Sequence, residues 1–80
     1  MKLYVYGERC NIAGIRIRLL REKKRLSQEQ LAAKLQLLGM EINQKAISRV
    51  ETGARVVPDY ELQFYAQALD TTIDHLLEQD

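Results

Sequence analysis

The sequence predicts an all-α domain of five short helices, and three observations predict it. Apolar residues recur at spacings of three and four along most of the chain, which is the period of one helical face. Ser27, Asn43 and Thr72, residue types that cap helix N-termini, each stand directly before such a run. Gly39 and Gly53 stand where two of the runs end, and the single proline, Pro58, precedes another.

The first helix is expected over residues 12–24, with Ala13, Ile17 and Leu20 on one stripe and Arg16, Arg18 and Arg21 between them. Ser27 then fits an N-cap, and Gln30 three residues later completes a capping box. The second helix therefore runs from 28 to about 38 with Leu31, Ala32, Leu35 and Leu38 inward. Gly39 suits the left-handed position that ends it. Asn43 caps a third helix over 44–52, which Gly53 ends in the same way. After Pro58, Asp59 is read as the cap of a fourth helix with Leu62, Tyr65, Ala66 and Leu69 on one face. Thr72 caps a short fifth helix containing Ile73, Leu76 and Leu77.

Residues 1–11 break the pattern. Leu3-Tyr4-Val5-Tyr6 has strand propensity, ended by Gly7. A lone strand needs a partner, so this N-terminal extended segment, an arm or short strand set ahead of a domain spanning 12–80, either pairs with a second copy, packs flat on the helices or is a mobile arm.

Eighty residues make one domain with a small core. An apolar content of 46% with 29% charged residues excludes a disordered chain. No apolar run approaches the roughly 20 residues of a membrane span, and the N-terminus lacks a signal-peptide apolar core. The lone Cys10 cannot form an internal disulfide, so a reducing cytoplasm is the natural setting. The net charge of +1 hides a division. Residues 1–55 hold all 12 Lys and Arg with 5 acids, whereas residues 56–80 hold 6 acids and neither Lys nor Arg. Such an asymmetry orients a chain toward a polyanion with one end turned away.

The second and third helices, joined by a turn, form a helix-turn-helix candidate. In such a unit the second of the pair offers its N-terminal end to the DNA major groove. With Ile47 and Val50 as the buried edge, Gln44, Lys45, Ser48 and Arg49 share the exposed side. Gln can bond adenine N6 and N7 together, and Lys or Arg can bond guanine O6 and N7. All four residues can donate hydrogen bonds and none is acidic.

The strings LSQEQLAAKL and AISRVETG, followed by Pro58 and LQFYAQALDTTIDHLL, resemble the DNA-binding domain of phage repressors and Cro-type regulators. The resemblance to these XRE-like proteins covers about residues 12–78. It implies a five-helix lambda-repressor-like domain that dimerises on palindromic operators and regulates transcription. By position, Gln28 matches a glutamine that bonds a phosphate and braces the recognition helix. Gln44, Lys45 and Arg49 match base-contacting positions, with Ser48 a lesser one, and Arg55 matches a basic backbone-contacting position. Arg21 and Glu51 match a pair joined in a partly buried salt bridge; a carboxylate at the foot of a DNA-reading helix repels phosphate unless a cation neutralises it. One departure stands out. Leu35 and Ile47 lie 12 residues apart, more than the family's tight turn allows, so the second helix is extended and the connection through Met40 to Ile42 lengthened. Ile42 is expected to plug the core there.

Other readings are weaker. Arg16, Arg18, Lys23 and Lys24 are expected to solvate the first helix rather than to contact phosphate. His75 has no second histidine or nearby cysteine to complete a metal site, and Cys10 has no histidine close by in sequence. Tyr60, Phe64 and Tyr65 sit in the acidic part and read as core and interface, not as a base-stacking platform. No phosphate-binding glycine loop or catalytic carboxylate pair is present, so neither enzyme activity nor a cofactor or metal is expected. The resulting expectation is a sequence-specific transcriptional regulator, a repressor, whose partners are double-stranded DNA and a second copy through the C-terminal region around Ile73, Leu76 and Leu77, with residues 3–6 a further candidate for that contact. The alternative is a protein-interaction module of the same fold, antitoxin-like or an adaptor. An acidic or apolar residue at 45 or 49 would have favoured it.

Overall fold

The computed structural model describes residues 7–78. Within them the chain forms five α-helices: α1 (Ala13–Lys23), α2 (Gln28–Leu37), α3 (Gln44–Thr52), α4 (Asp59–Ala68) and α5 (Ile73–Leu76). No strand is present among the described residues, and the strand-like run Leu3–Tyr6 lies outside them.

The helix boundaries follow local chemistry. The Ser27 hydroxyl accepts from the Gln30 backbone N–H, and the Gln30 side chain accepts from the Ser27 N–H, so the capping box at α2 is complete. Asn43 caps α3 through the Ala46 N–H, and Thr72 caps α5 through the His75 N–H. At α4 the expected cap is corrected. Pro58 occupies the N-cap position without a side-chain cap bond, and Asp59 is the first helical residue. Pro58 presets the dihedrals there, while Asp59 and Glu61 place negative charge beside the positive helix end.

The connection between α2 and α3 is the least ordinary feature of the fold. Gly39 takes φ +102°, and Met40 N–H bonds the Leu35 carbonyl while Gly39 N–H bonds that of Gln36. This is the Schellman arrangement, which turns the chain and satisfies two free carbonyls. Met40 and Ile42 then both enter the core. The Gln36 side chain donates to the Ile42 carbonyl at 2.7 Å and spans the turn. The longer connection is thus anchored at both ends.

Ile17, Leu31, Leu35, Ile47, Val50, Tyr65, Leu69 and Leu76 are fully buried, so all five helices contribute to one core. Here the expected dimer surface needs correction. Leu76 is interior and Ile73 is half-buried against the core, which leaves only Leu77 of the three exposed. A four-residue helix has too little surface to seat on its neighbours and also present two apolar residues outward.

Candidate nucleic-acid interface

Helix α3 is placed by its buried edge. Ile47 and Val50 enter the core, and Glu51 beside them is also buried. The 100° step between residues then turns Gln44, Lys45 and Arg49 to solvent, with Ser48 half-buried at their margin. Of the four expected base-reading residues, three are exposed and one is only partly accessible.

A chain of polar contacts links the tip of α3 to α1. The Gln44 side-chain amide donates to the Gln28 side-chain carbonyl at 2.6 Å. Gln28 Nε2 donates in turn to Glu51 Oε1 at 3.0 Å. Arg21 meets the same carboxylate in a two-pronged pair, Nε to Oε2 at 2.6 Å and Nη2 to Oε1 at 3.0 Å, and its Nη1 donates to the Leu26 carbonyl at 2.7 Å. The Arg21 and Glu51 side chains are 11% and 3% exposed. The bond to Glu51 raises the Arg21 pKa, so the guanidinium is charged at every accessible pH. Gln28, Arg21, Glu51 and Gln44 are therefore brought together as one network that ties both Gln44 at the start of α3 and Glu51 in its last turn to α1 and α2.

Arg55 is placed differently. Its guanidinium lies 3.5 Å from Glu61 Oε2, and its side chain is half-buried. It also lines a surface hollow of about 420 Å³ together with Lys45, Arg49 and Glu41. Three cations and one anion around one concavity beside α3 make an anion-attracting surface. Glu61 neutralises part of the Arg55 contribution. On α1, Arg18 pairs with Glu22 at 3.4 Å and Lys24 with Asp70 at 2.8 Å.

Sequence reasoning missed three residues that hold this surface. Asn11, 8% exposed, accepts from Gly14 N–H through Oδ1 and donates to the Val50 carbonyl of α3. Arg9 binds the same end of α3. Gly14 lies so close to the Val50 carbonyl that a Cβ there would collide with its oxygen. Residues 9–11, placed with the arm by sequence, are thus tied to α3 over a separation of about 40 residues. A signal existed for one of them: asparagine three residues before a helical N–H is a cap pattern. Arg9 and the Gly14 contact leave no local pattern, because their partners come from a distant helix.

Among the described residues no group of three or more His, Cys, Asp or Glu is placed to hold a metal, and no helix is long and apolar enough to cross a membrane. His75 Nδ1 faces the Glu78 carboxylate at 3.2 Å. Cys10 is half-buried, and its backbone N–H bonds the Gly53 carbonyl. A family model described as a helix-turn-helix domain matches residues 12–79. No curated protein and no solved structure gives a significant match.

Proposed function

The chain belongs to the helix-turn-helix domain family, and from that premise we propose that it is a sequence-specific DNA-binding transcriptional regulator, a repressor, that reads the major groove with α3. One observation carries this reading. The outward side of α3 presents Gln44, Lys45 and Arg49 without an acid, and Gln44 is braced through Gln28 to the buried Arg21–Glu51 pair. Polar side chains held in place at the N-terminal end of a helix can meet base edges without first being ordered. Lys45 and Arg49 suit guanine O6 and N7, and Gln44 suits adenine N6 and N7. Gln28 and Arg55 flank these positions as phosphate contacts.

Operators of this class mirror a protein two-fold axis. The chain acts as a homodimer on a palindromic site, with half-sites about 34 Å apart. Sedimentation of the complex on a full site checks the stoichiometry: two copies per site are expected, and one copy rules the dimer out.

The central test selects bound sequences from a pool of random duplexes and then compares two variants. Arg49→Ala is expected to cost about 1–3 kcal/mol on the selected site and to relax discrimination at one position per half-site. Arg55→Ala is expected to weaken all duplexes alike and to lower the log–log salt slope by up to about one unit per subunit. If both variants lower specific and non-specific affinity by one common factor, α3 does not read bases. The protein-interaction module then becomes the better reading.

A further inference from the structure

A groove-reading helix held only along its buried edge can rock about that edge, and recognition geometry tolerates only about 0.5 Å of error. The Gln44–Gln28 bond holds the start of α3, and Gln28 and Arg21 hold the Glu51 carboxylate in its last turn. The backbone carbonyls of that far end are held by three consecutive residues that precede α1. Arg9 Nη2 donates to the Glu51 carbonyl at 3.0 Å and to that of Val50 at 3.4 Å, while its Nε folds back onto the Asn11 carbonyl. The Cys10 N–H donates to the Gly53 carbonyl at 2.7 Å. Asn11 Nδ2 donates to the carbonyls of Val50 at 3.0 Å and Arg55 at 2.6 Å.

The Val50, Glu51 and Gly53 carbonyls lie at the C-terminal end of α3, where the negative partial charge of the helix gathers, and the Arg55 carbonyl lies in the loop just beyond it. A guanidinium placed on them is favoured by charge as well as by hydrogen bonding. Asn11 uses both ends of its amide. Its oxygen accepts from Gly14 N–H at 2.7 Å and its nitrogen holds α3, so one side chain rivets the first turn of α1 to the last turn of α3. Gly53, at φ +87°, leaves room that a Cβ would fill at 2.8 Å from the Arg9 side chain.

We propose that Arg9 and Asn11 are positioning residues that set the pose of α3 and of the Arg55 loop, so that base discrimination depends on two side chains bound to the carbonyl end of the reading helix. The role in discrimination rests on the DNA-reading assignment above. The clamp itself does not.

The test uses the full chain with Arg9→Ala, Arg9→Lys and Asn11→Asp. Asn11→Asp keeps the oxygen that caps Gly14 and removes both donors to α3 and its loop. At a temperature where thermal melts show every variant folded, amide hydrogen exchange is measured residue by residue. The amides of Gly53, Ala54 and Arg55, which bond Val50 and Arg49, are expected to exchange about tenfold faster in Arg9→Ala and Asn11→Asp, with α2 amides unchanged. Arg9→Lys, which keeps the charge but not the fork, falls between. On the same samples, the affinity ratio between the selected duplex and a scrambled one drops about tenfold. A uniform loss of protection, or none, overturns the clamp. A selective loss with an unchanged ratio overturns its role in discrimination. A parent chain that prefers no duplex over another overturns the DNA-reading assignment instead, and with it that role.

Discussion

Glu51 shows how one side chain answers two opposing demands. Its place on α3 puts it in the core, and its charge would oppose the binding of phosphate at the proposed DNA surface. Three donors, two from Arg21 and one from Gln28, neutralise it. Glu51→Gln removes the charge and leaves a nearly buried Arg21 without its counterion. The expected loss is about 3 kcal/mol, at the lower end for breaking one side of a buried pair and well above the 0–1 kcal/mol of a surface pair. Denaturant midpoints measure it, and coincident midpoints would contradict the burial. The opposed charges of Arg21 and Glu51 could be seen in sequence, but their pairing entered through the family resemblance.

At the scale of elements, the contact between α1 and α3 governs the architecture around α3. Alanine in place of a helical glycine ordinarily stabilises by about 1 kcal/mol. Gly14→Ala is expected to do the reverse. The new methyl meets the Val50 carbonyl oxygen and the Asn11 side chain, and a backbone oxygen cannot rotate away. The net loss is about 1–3 kcal/mol, typical of overpacking, and denaturant unfolding of the variant checks the sign. The α2–α3 connection offers a contrast. Its glycine, its buried Ile42 and the cap at Asn43 could all be anticipated from the local pattern, since a C-terminal glycine and an N-cap act within a few residues. The Gln36 bond across the turn could not, because only the folded backbone brings the Ile42 carbonyl to it.

Across the whole molecule, charge and burial set the response to pH. Burial, aided by the neighbouring Glu61 carboxylate, raises the Tyr65 pKa well above its ordinary value. The neutral phenol is favoured in the folded state, so this contribution to stability is complete below about pH 10 and is lost as pH rises beyond it. The melting temperature of the parent is expected to fall more steeply above about pH 10 than that of Tyr65→Phe. Near neutrality Tyr65→Phe costs under about 1 kcal/mol, because the hydroxyl has no hydrogen-bond partner among the described residues. On the acid side, the Lys24 ammonium bonded to Asp70 holds that carboxyl below the usual range. The stability it supplies is present at neutral pH and fades as pH falls through the carboxylate range. Thermal melts above neutrality, parent against Tyr65→Phe, measure the alkaline limb; the exposed Lys24–Asp70 pair adds only a small acid one.

The five helices, their caps at Ser27, Asn43 and Thr72, and the outward placing of Gln44, Lys45 and Arg49 on α3 were determined by the sequence alone. Each depends on interactions within one or two turns, where spacing along the chain equals spacing in space. Tertiary structure decided the rest. It drew Leu76 into the core, paired Arg55 with Glu61, and brought Arg9 and Asn11 to the end of α3. These depend on how separate helices seat against one another, and no periodic pattern along the chain records which carbonyl a distant side chain will meet.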